Sequence, residues 1–104
     1  MQRTSPASSA IIIRKQMGIT RAEFLRLLPR ALDSDAFDVS GALICYKAAD
    51  DKSLEIELGS ESIRQIALMQ MPTMPVQLTF SGFSDAERDA LILRFDRAYQ
   101  RGGG

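Results

Sequence analysis

Histidine is absent from this chain of 104 residues, and cysteine occurs once, at Cys45. Histidine is the usual acid–base group near neutral pH and the commonest metal ligand, so Ser-His-Asp and Cys-His catalysis and most zinc sites are excluded. A single cysteine excludes an internal disulfide and favours a reducing, cytoplasmic location. These absences predict a protein that binds a partner rather than an enzyme, without a metal or cofactor.

Long apolar runs are also missing. The apolar stretch at 10–13 is much shorter than a signal-peptide core, and no segment approaches the roughly 20 apolar residues that span a bilayer. We therefore expect neither secretion nor membrane insertion. The composition is ordinary for one globular domain, with 45% hydrophobic and 25% charged residues. The chain is also long enough to form a hydrophobic core.

The composition predicts one domain with two short tails. Residues 1–9 are rich in Ser, Thr and Pro, which bury too little surface to offset the entropy of ordering, so we expect a flexible tail there. Residues 102–104 are glycines and predict a second flexible tail. The single α+β domain is expected over 10–101.

Strands are predicted wherever apolar residues alternate with polar ones or are β-branched. Three isoleucines at 11–13 predict a short strand at an edge of the sheet. The run at 42–48 is apolar on both faces and predicts a central strand, while Phe37 and Val39 alternate with polar neighbours. Alternation at 53–58 and 76–80 predicts half-buried strands.

Two capping boxes, in which Ser or Thr is followed by Glu three residues later, predict helices. Thr20 with Glu23 begins the first, and Ser84 with Glu87 begins a C-terminal helix over 84–100. The helices flank a run of strands without βαβ alternation. The sequence therefore predicts an α+β fold: an antiparallel sheet of four to five strands with both helices packed on one face.

In four segments, prolines or short apolar runs interrupt the pattern from which secondary structure is predicted. Pro29 is expected to kink or shorten the last turn of the first helix. Residues 60–64 are predicted to form a single helical turn, and 65–69 fit either helix or strand, with strand preferred. Pro72 and Pro75 are expected to bracket a connection before the last strand.

Charge is segregated along the chain although the net charge is zero. Residues 1–32 hold six basic residues against one acidic, and 33–61 hold eight acidic against two basic. Such segregation indicates a partner, or self-association in which the basic third of one copy meets the acidic middle of another. The alternative is that folding interleaves the segments and cancels the field. The candidate partner-binding residues of the basic segment are Arg14, Lys15, Arg21, Arg26 and Arg30.

The same basic residues also suggest nucleic-acid binding through the N-terminal segment and first helix, although a neutral protein is not the usual electrostatic footprint. A second basic stripe lies at i, i+3, i+7 on the last helix, formed by Arg94, Arg97 and Arg101. A cationic last turn also complements the helix dipole without any ligand, so this stripe has two interpretations.

Three methionines near Pro72 form the last candidate surface. Met69, Met71 and Met74 are flexible and polarizable, and they suit either an adaptable apolar contact surface or the filling of irregular core gaps. Cys45, on an apolar strand, is predicted to be a small buried hydrophobe.

Carboxylates carry the remaining catalytic hypothesis. Glu55 and Glu57 share one face of a predicted strand, at a spacing that two-carboxylate hydrolysis tolerates, but alternating Glu is also typical of a solvated strand face. Asp38, Asp50 and Asp51 do not form a recognised cation-binding loop, so no metal site is predicted.

The C-terminal glycines at 102–104 resemble the activated Gly-Gly tail of ubiquitin-like modifiers and sulfur carriers. The resemblance covers these three residues and implies a carrier function, and helix-capping glycines are the alternative. We therefore predict a non-enzymatic protein-interaction module that binds an unidentified protein or a second copy. Nucleic-acid binding is the alternative, and a carboxylate-based enzyme or Gly-Gly-tailed carrier is the third hypothesis.

Overall fold

The structure is a computed structural model that describes residues 10–100, so the predicted tails at 1–9 and 102–104, and Arg101, lie outside it. The strands are β1 (Ile11–Met17), β2 (Phe37–Ser40), β3 (Leu43–Ala49), β4 (Lys52–Leu58), β5 (Ser62–Ile66) and β6 (Met69–Ser81). The helices are α1 (Arg21–Leu32) and α2 (Asp85–Gln100).

The strands form an antiparallel sheet in the order β1-β6-β4-β3-β2, and β5 pairs with the first part of β6. The predicted α+β class, with an antiparallel sheet and two helices, is confirmed. Within residues 10–100 there are six strands in place of the four to five expected, because β5 begins at Ser62, inside the segment predicted to be a helical turn. β1 is an edge strand, as its isoleucine run predicted.

The core lies between one face of the sheet and the two helices. Ile44, Ile56 and Leu78 are cross-strand neighbours on β3, β4 and β6, and all three are completely buried. Phe24 of α1 and Phe95 of α2 are buried in the same cluster. Both helices therefore cover the same face, because alternate residues of a strand point to opposite sides of a sheet.

The two capping boxes differ in how far they form. At α2, the Glu87 N–H donates to Ser84 Oγ at 3.1 Å and the Ser84 N–H donates to Glu87 Oε1 at 2.9 Å, as a complete box requires. At α1, the Glu23 N–H donates to Thr20 Oγ1 at 3.2 Å, but the Glu23 carboxylate pairs with Arg26 instead. The box at Thr20 is thus half formed.

The face of the sheet opposite the helices is open to solvent. Cys45 is exposed on this face, so its predicted burial is wrong. The physical reason is register: Cys45 lies opposite Glu55, whereas its neighbour Ile44 lies opposite buried Ile56. Glu55 and Glu57 are exposed on the same face, as expected for a wet strand surface.

Pro72 and Pro75 do not bracket a connection, because both lie inside the 13-residue strand β6. The Gly59 N–H donates to the Pro75 carbonyl at 2.8 Å. Because the nitrogen and the carbonyl of a strand residue point to the same side, the Pro75 nitrogen, which has no hydrogen to donate, also faces Gly59, just beyond the end of β4. Pro72 lies in the part of β6 that pairs with β5 and does not pair with β1 or β4. Proline is tolerated where a strand has an open side.

Three other local predictions have different outcomes. The helical turn predicted over 60–64 is wrong, since β5 occupies most of that segment. Residues 65–69 are the ends of β5 and β6 joined by a turn at Ala67 and Leu68. Pro29 does not shorten α1, which continues to Leu32 and closes on Asp33 in the left-handed conformation.

Within residues 10–100, no helix has both the length and the apolar composition needed to cross a membrane.

Candidate interaction surface

The hairpin formed by β5 and the first part of β6 extends beyond the body of the sheet. Its register pairs Ser62 with Thr73 at the base and Ile66 with Met69 at the tip. The turn is closed by Ala67, which adopts a left-handed φ of 56°. We call residues 62–73 the hairpin.

Large apolar side chains are exposed along the hairpin. Leu68 at the turn is 97% exposed, Ile63 65%, Met69 64% and Ile66 50%. Leaving apolar surface in water is unfavourable by about 25 cal/mol per Å². Clustered apolar exposure is typical of a contact surface, whereas scattered single residues are normal on any protein.

The hairpin is exposed because the neighbours of β6 end before it. β1 ends its pairing where Met17 meets Met74, and β4 ends where Leu58 meets Val76. Every residue from 60 to 70 is exposed. The hairpin is therefore a two-stranded ribbon, and such a ribbon is only marginally stable without further packing.

A groove of about 1040 Å³ lies at the base of the hairpin, on the side of the sheet that carries the helices. Met71 and Pro72 of the hairpin form one wall, and Met17 and Gly18 at the end of β1 lie beside them. Tyr99 near the end of α2 also lines the groove. The groove is thus part apolar and borders the hairpin directly.

Charged side chains surround this groove. The Lys15 ammonium lies 3.0 Å from the Asp96 carboxylate, and Glu23 is a further lining residue. Arg26 donates hydrogen bonds to Glu23 and thereby lowers the pKa of that carboxyl. The Lys15–Asp96 and Arg26–Glu23 ion pairs therefore balance the charges at the groove.

Tyr99 connects the groove to the core. Its Oη donates to the Phe24 carbonyl at 2.8 Å, and its ring stacks on Phe24 with centroids 4.9 Å apart. Burial raises the pKa of the Tyr99 phenol, because the phenolate would lose its hydration. Tyr99 thus anchors the groove lining to the core of the domain.

A smaller groove of about 530 Å³ lies beside Gly59 and Pro75. Arg14, Glu57 and Gln77 line it. Arg14 and Glu57 are both register partners of Gln77 on the solvent face.

The three candidate methionines do not form one surface. Met69 is exposed at the tip and Met71 is half-buried in the wall of the larger groove. Met74 is completely buried in the core. Met69 and Met71 thus lie on the hairpin, while Met74 fills space beneath the helices.

The basic residues of the N-terminal third are dispersed by the fold. Arg14 and Lys15 are consecutive in β1 and so point to opposite faces of the sheet. The Arg21 guanidinium donates to the Gly41 carbonyl at 2.6 Å, and Arg26 pairs with Glu23. Arg30 is exposed near the end of α1. No continuous basic patch forms from these five residues.

Two of the three arginines of the second basic stripe lie within the described residues. Arg94 and Arg97 are exposed on α2, and Arg97 lies in its last turn, where a cation complements the helix dipole. Arg101 lies outside the described residues. Asp96, between the two arginines in sequence, is the ion-pair partner of Lys15.

Sequence reasoning missed Ile63, Ile66 and Leu68. Ile63 was placed in a helical turn, and Ile66 and Leu68 in a segment of ambiguous structure. The alternation of Met69 and Met71 with Gln70 could have indicated that the last strand begins at 69. The two prolines concealed it, because they argued against a long strand.

No protein-family model matches this chain, and neither a curated protein nor a solved structure matches it. Its function is therefore argued from its own residues. Among those described, no three His, Cys, Asp or Glu side chains converge as metal ligands would.

Proposed function

We propose that this chain is a non-enzymatic protein-interaction module and that the hairpin is its contact element. The observation that carries the proposal is that one projecting ribbon exposes four large apolar side chains: Ile66 and Met69 are paired on one face, Ile63 is on the other, and Leu68 is at the turn. Each such side chain contributes about 1.5–3 kcal/mol when fully buried. A partner that covers the hairpin would gain this energy.

The chemistry of the hairpin indicates the kind of surface it would contact. Arg64 is the one charged residue between 62 and 73, so the hairpin has aliphatic side chains with a single cation. A complementary surface is an apolar groove bordered by carboxylates. Met69 and Met71 suit such a contact because their side chains adapt to irregular shapes.

Nucleic-acid binding has less physical support. Such binding needs several cations on one surface, since each phosphate contact contributes separately. Lys15 and Arg26 are each paired with a carboxylate, and Arg14 belongs to the opposite sheet face from Lys15. The hairpin itself offers Arg64 alone.

The cytoplasm is the proposed location. Cys45 is exposed and is the one cysteine of the chain. An exposed lone thiol is stable in a reducing compartment, whereas an oxidising one would favour intermolecular disulfides. Blocking of the thiol by a membrane-impermeant maleimide added to intact cells would contradict this location.

A photo-crosslinking experiment tests the interaction proposal. A benzophenone amino acid is placed at Leu68 in the full chain, in the cells that naturally make it, and irradiated. Leu68 is 97% exposed, so its replacement leaves the core untouched. We expect a discrete protein adduct. Leu93 on α2, which is 53% exposed, receives the same amino acid as the matched control.

Adducts of equal yield from both positions, or none from Leu68, would contradict the hairpin as the contact element. The mass of the adduct also identifies the partner's size. An adduct of twice the chain mass is a second copy, and any other mass is a different protein.

A further inference from the structure

We propose that the hairpin binds its partner by strand addition, in which an extended segment of a different protein pairs with the free edge of β5. The inference rests on the proposed function and names the form that the partner takes there. Within residues 10–100, β5 pairs with β6 on one side and has no strand on the other. All five of its residues are exposed. An added strand would complete a two-stranded ribbon that is only marginally stable by itself.

The register of the hairpin determines which backbone groups of β5 face the free edge. The turn at 67–68 has two residues, so the residues that flank it, Ile66 and Met69, are hydrogen-bonded to each other. Hydrogen-bonded and non-hydrogen-bonded pairs then alternate along an antiparallel ladder. The N–H and C=O groups of Ile63 and Gln65 therefore point away from β6. Two donors and two acceptors are open to an added strand.

Pro72 agrees with this pattern. It is the register partner of Ile63, where the ladder requires no hydrogen bond, and proline has no N–H to donate. Its carbonyl oxygen faces the chain just beyond the end of β1, at 3.6 Å from a Cβ placed on Gly18. The hairpin thus already accommodates a proline at a non-hydrogen-bonded position.

The side chains beside the free edge indicate the sequence of the added strand. Arg64 lies on the same face of the ribbon as Ile66, and Ile63 lies on the other. Within residues 10–100, Arg64 takes part in no salt bridge. The favourable cross-strand neighbours are a carboxylate opposite Arg64 and apolar side chains opposite the two isoleucines. Read along an antiparallel partner, the expected segment is apolar, any residue, Asp or Glu, apolar.

The same cation argues against a second copy as the added strand. Two copies of β5 pair all of these open groups when Ile63 of each lies opposite Gln65 of the other. That register places the two Arg64 side chains directly opposite each other, where like charges repel. A different protein with a carboxylate at this position is therefore the better occupant.

The first test blocks the edge and leaves the hairpin ladder intact. Gln65→Pro removes an N–H that points to the free edge and puts the proline ring in front of it, whereas Gln65→Ala changes the side chain alone. Each is introduced into the full chain that carries the photo-crosslinking amino acid at Leu68. We expect Gln65→Pro to lower the adduct yield at least about tenfold, because a hydrogen bond is lost and a partner carbonyl is left unpaired. Gln65→Ala should leave the yield nearly unchanged.

The hairpin itself is checked in the Gln65→Pro protein by nuclear Overhauser contacts between Arg64 and Met71, which are register partners. We expect these contacts to persist, since the replaced N–H does not bond to β6.

The second test does not depend on a proline and reads the sequence of the added strand. Random peptides displayed in many copies on phage are selected on the full chain and, in parallel, on Arg64→Glu. We expect the wild type to select the apolar, any residue, acidic, apolar pattern. Arg64→Glu should select Lys or Arg at the acidic position, because the cross-strand charge is reversed. The same peptides from both proteins, or none enriched above the bare support, would overturn strand addition.

The outcomes separate this inference from the proposed function. Equal adduct yields from Gln65→Pro and Gln65→Ala overturn strand addition but leave the hairpin as the contact element. An adduct of twice the chain mass identifies a second copy and overturns the assignment to a different protein. If Leu68 captures nothing above the Leu93 control, both proposals fail.

Discussion

The two halves of β6 belong to one strand but differ in how far their side chains are buried. From Met74 onward, β6 is flanked by β1 and then also by β4, and its alternate residues are completely or almost completely buried. From Met69 to Thr73 it has β5 as its strand neighbour, and Met69 is 64% exposed. Both halves contain methionine and proline. Burial is therefore decided by the neighbouring elements rather than by residue type.

The difference also separates stability from binding. The inner half contributes to the core between sheet and helices, where close packing makes every side chain costly to remove. The outer half has no core to maintain, so its aliphatic residues contribute little to folding and remain available to a partner. The following four predictions test this division, beginning with the largest expected effect.

Met74→Ala and Met69→Ala compare the same change in the two halves. Met74 is completely buried, so its truncation leaves a cavity and should lower the free energy of unfolding by about 2–5 kcal/mol. Met69→Ala should change it by less than about 0.5 kcal/mol. Urea denaturation followed by circular dichroism measures both. Similar losses from the two variants would show that the hairpin folds as part of the core.

Gly59→Ala tests the junction between the halves. A Cβ at Gly59 would lie 2.3 Å from Pro75 Cγ, so the change should destabilise the protein by about 1–3 kcal/mol. Pro75→Ala removes the atom that clashes, and Gly59→Ala should then cost much less in that background. Gly18→Ala, where the nearest contact is 3.6 Å, is the matched control. A loss unaffected by Pro75→Ala would contradict the proposed clash.

Tyr99→Phe tests the link between the groove wall and the core. The hydroxyl donates to the Phe24 carbonyl, so its removal should cost about 1–2 kcal/mol at neutral pH. The raised pKa of Tyr99 adds a signature at high pH. The folded protein retains this proton above the unfolded pKa of about 10, so stability is full below that value and falls by about 1.4 kcal/mol per pH unit above it.

Tyr99→Phe should lack this part of the alkaline loss. Denaturant titrations of both proteins between pH 8 and about 11 measure it. Parallel stability curves for the two proteins would argue that the phenol is not buried as described.

Glu87→Gln should have the smallest effect on stability. Glu87 lies in the body of the domain, away from the hairpin. Hydrogen bonds from Lys52 and from the Ser84 N–H lower the pKa of Glu87 to about 2. Its contribution is therefore present above the unfolded pKa of about 4.3 and is lost as pH falls towards 2. Melting temperatures at pH 6 and pH 2.5 should differ less in Glu87→Gln than in the wild type.

Lys52→Met should reduce the same pH dependence, because it removes the main cause of the shift. Residues 62–73 contain no acidic residue, so this acid sensitivity belongs to the body alone. An unchanged pH dependence in both variants would contradict the ion pair.

Local sequence patterns determined most of the secondary structure. The box of Ser84 and Glu87 predicted the start of α2, since a cap needs only residues within one turn. The alternation of Leu54, Ile56 and Leu58 predicted which face of β4 is buried, because side chains alternate at every strand residue. These features depend on neighbours in sequence, and the sequence alone was sufficient for them.

Tertiary structure decided what lies at the surface. Cys45 is exposed because the helices cover one face of the sheet, and no local pattern on β3 states which face that is. Met69 and Met74 differ because β1 and β4 end between them. The exposed hairpin and the groove at its base likewise arise where distant segments stop or meet, so the physical cause of the candidate site is the set of strand pairings.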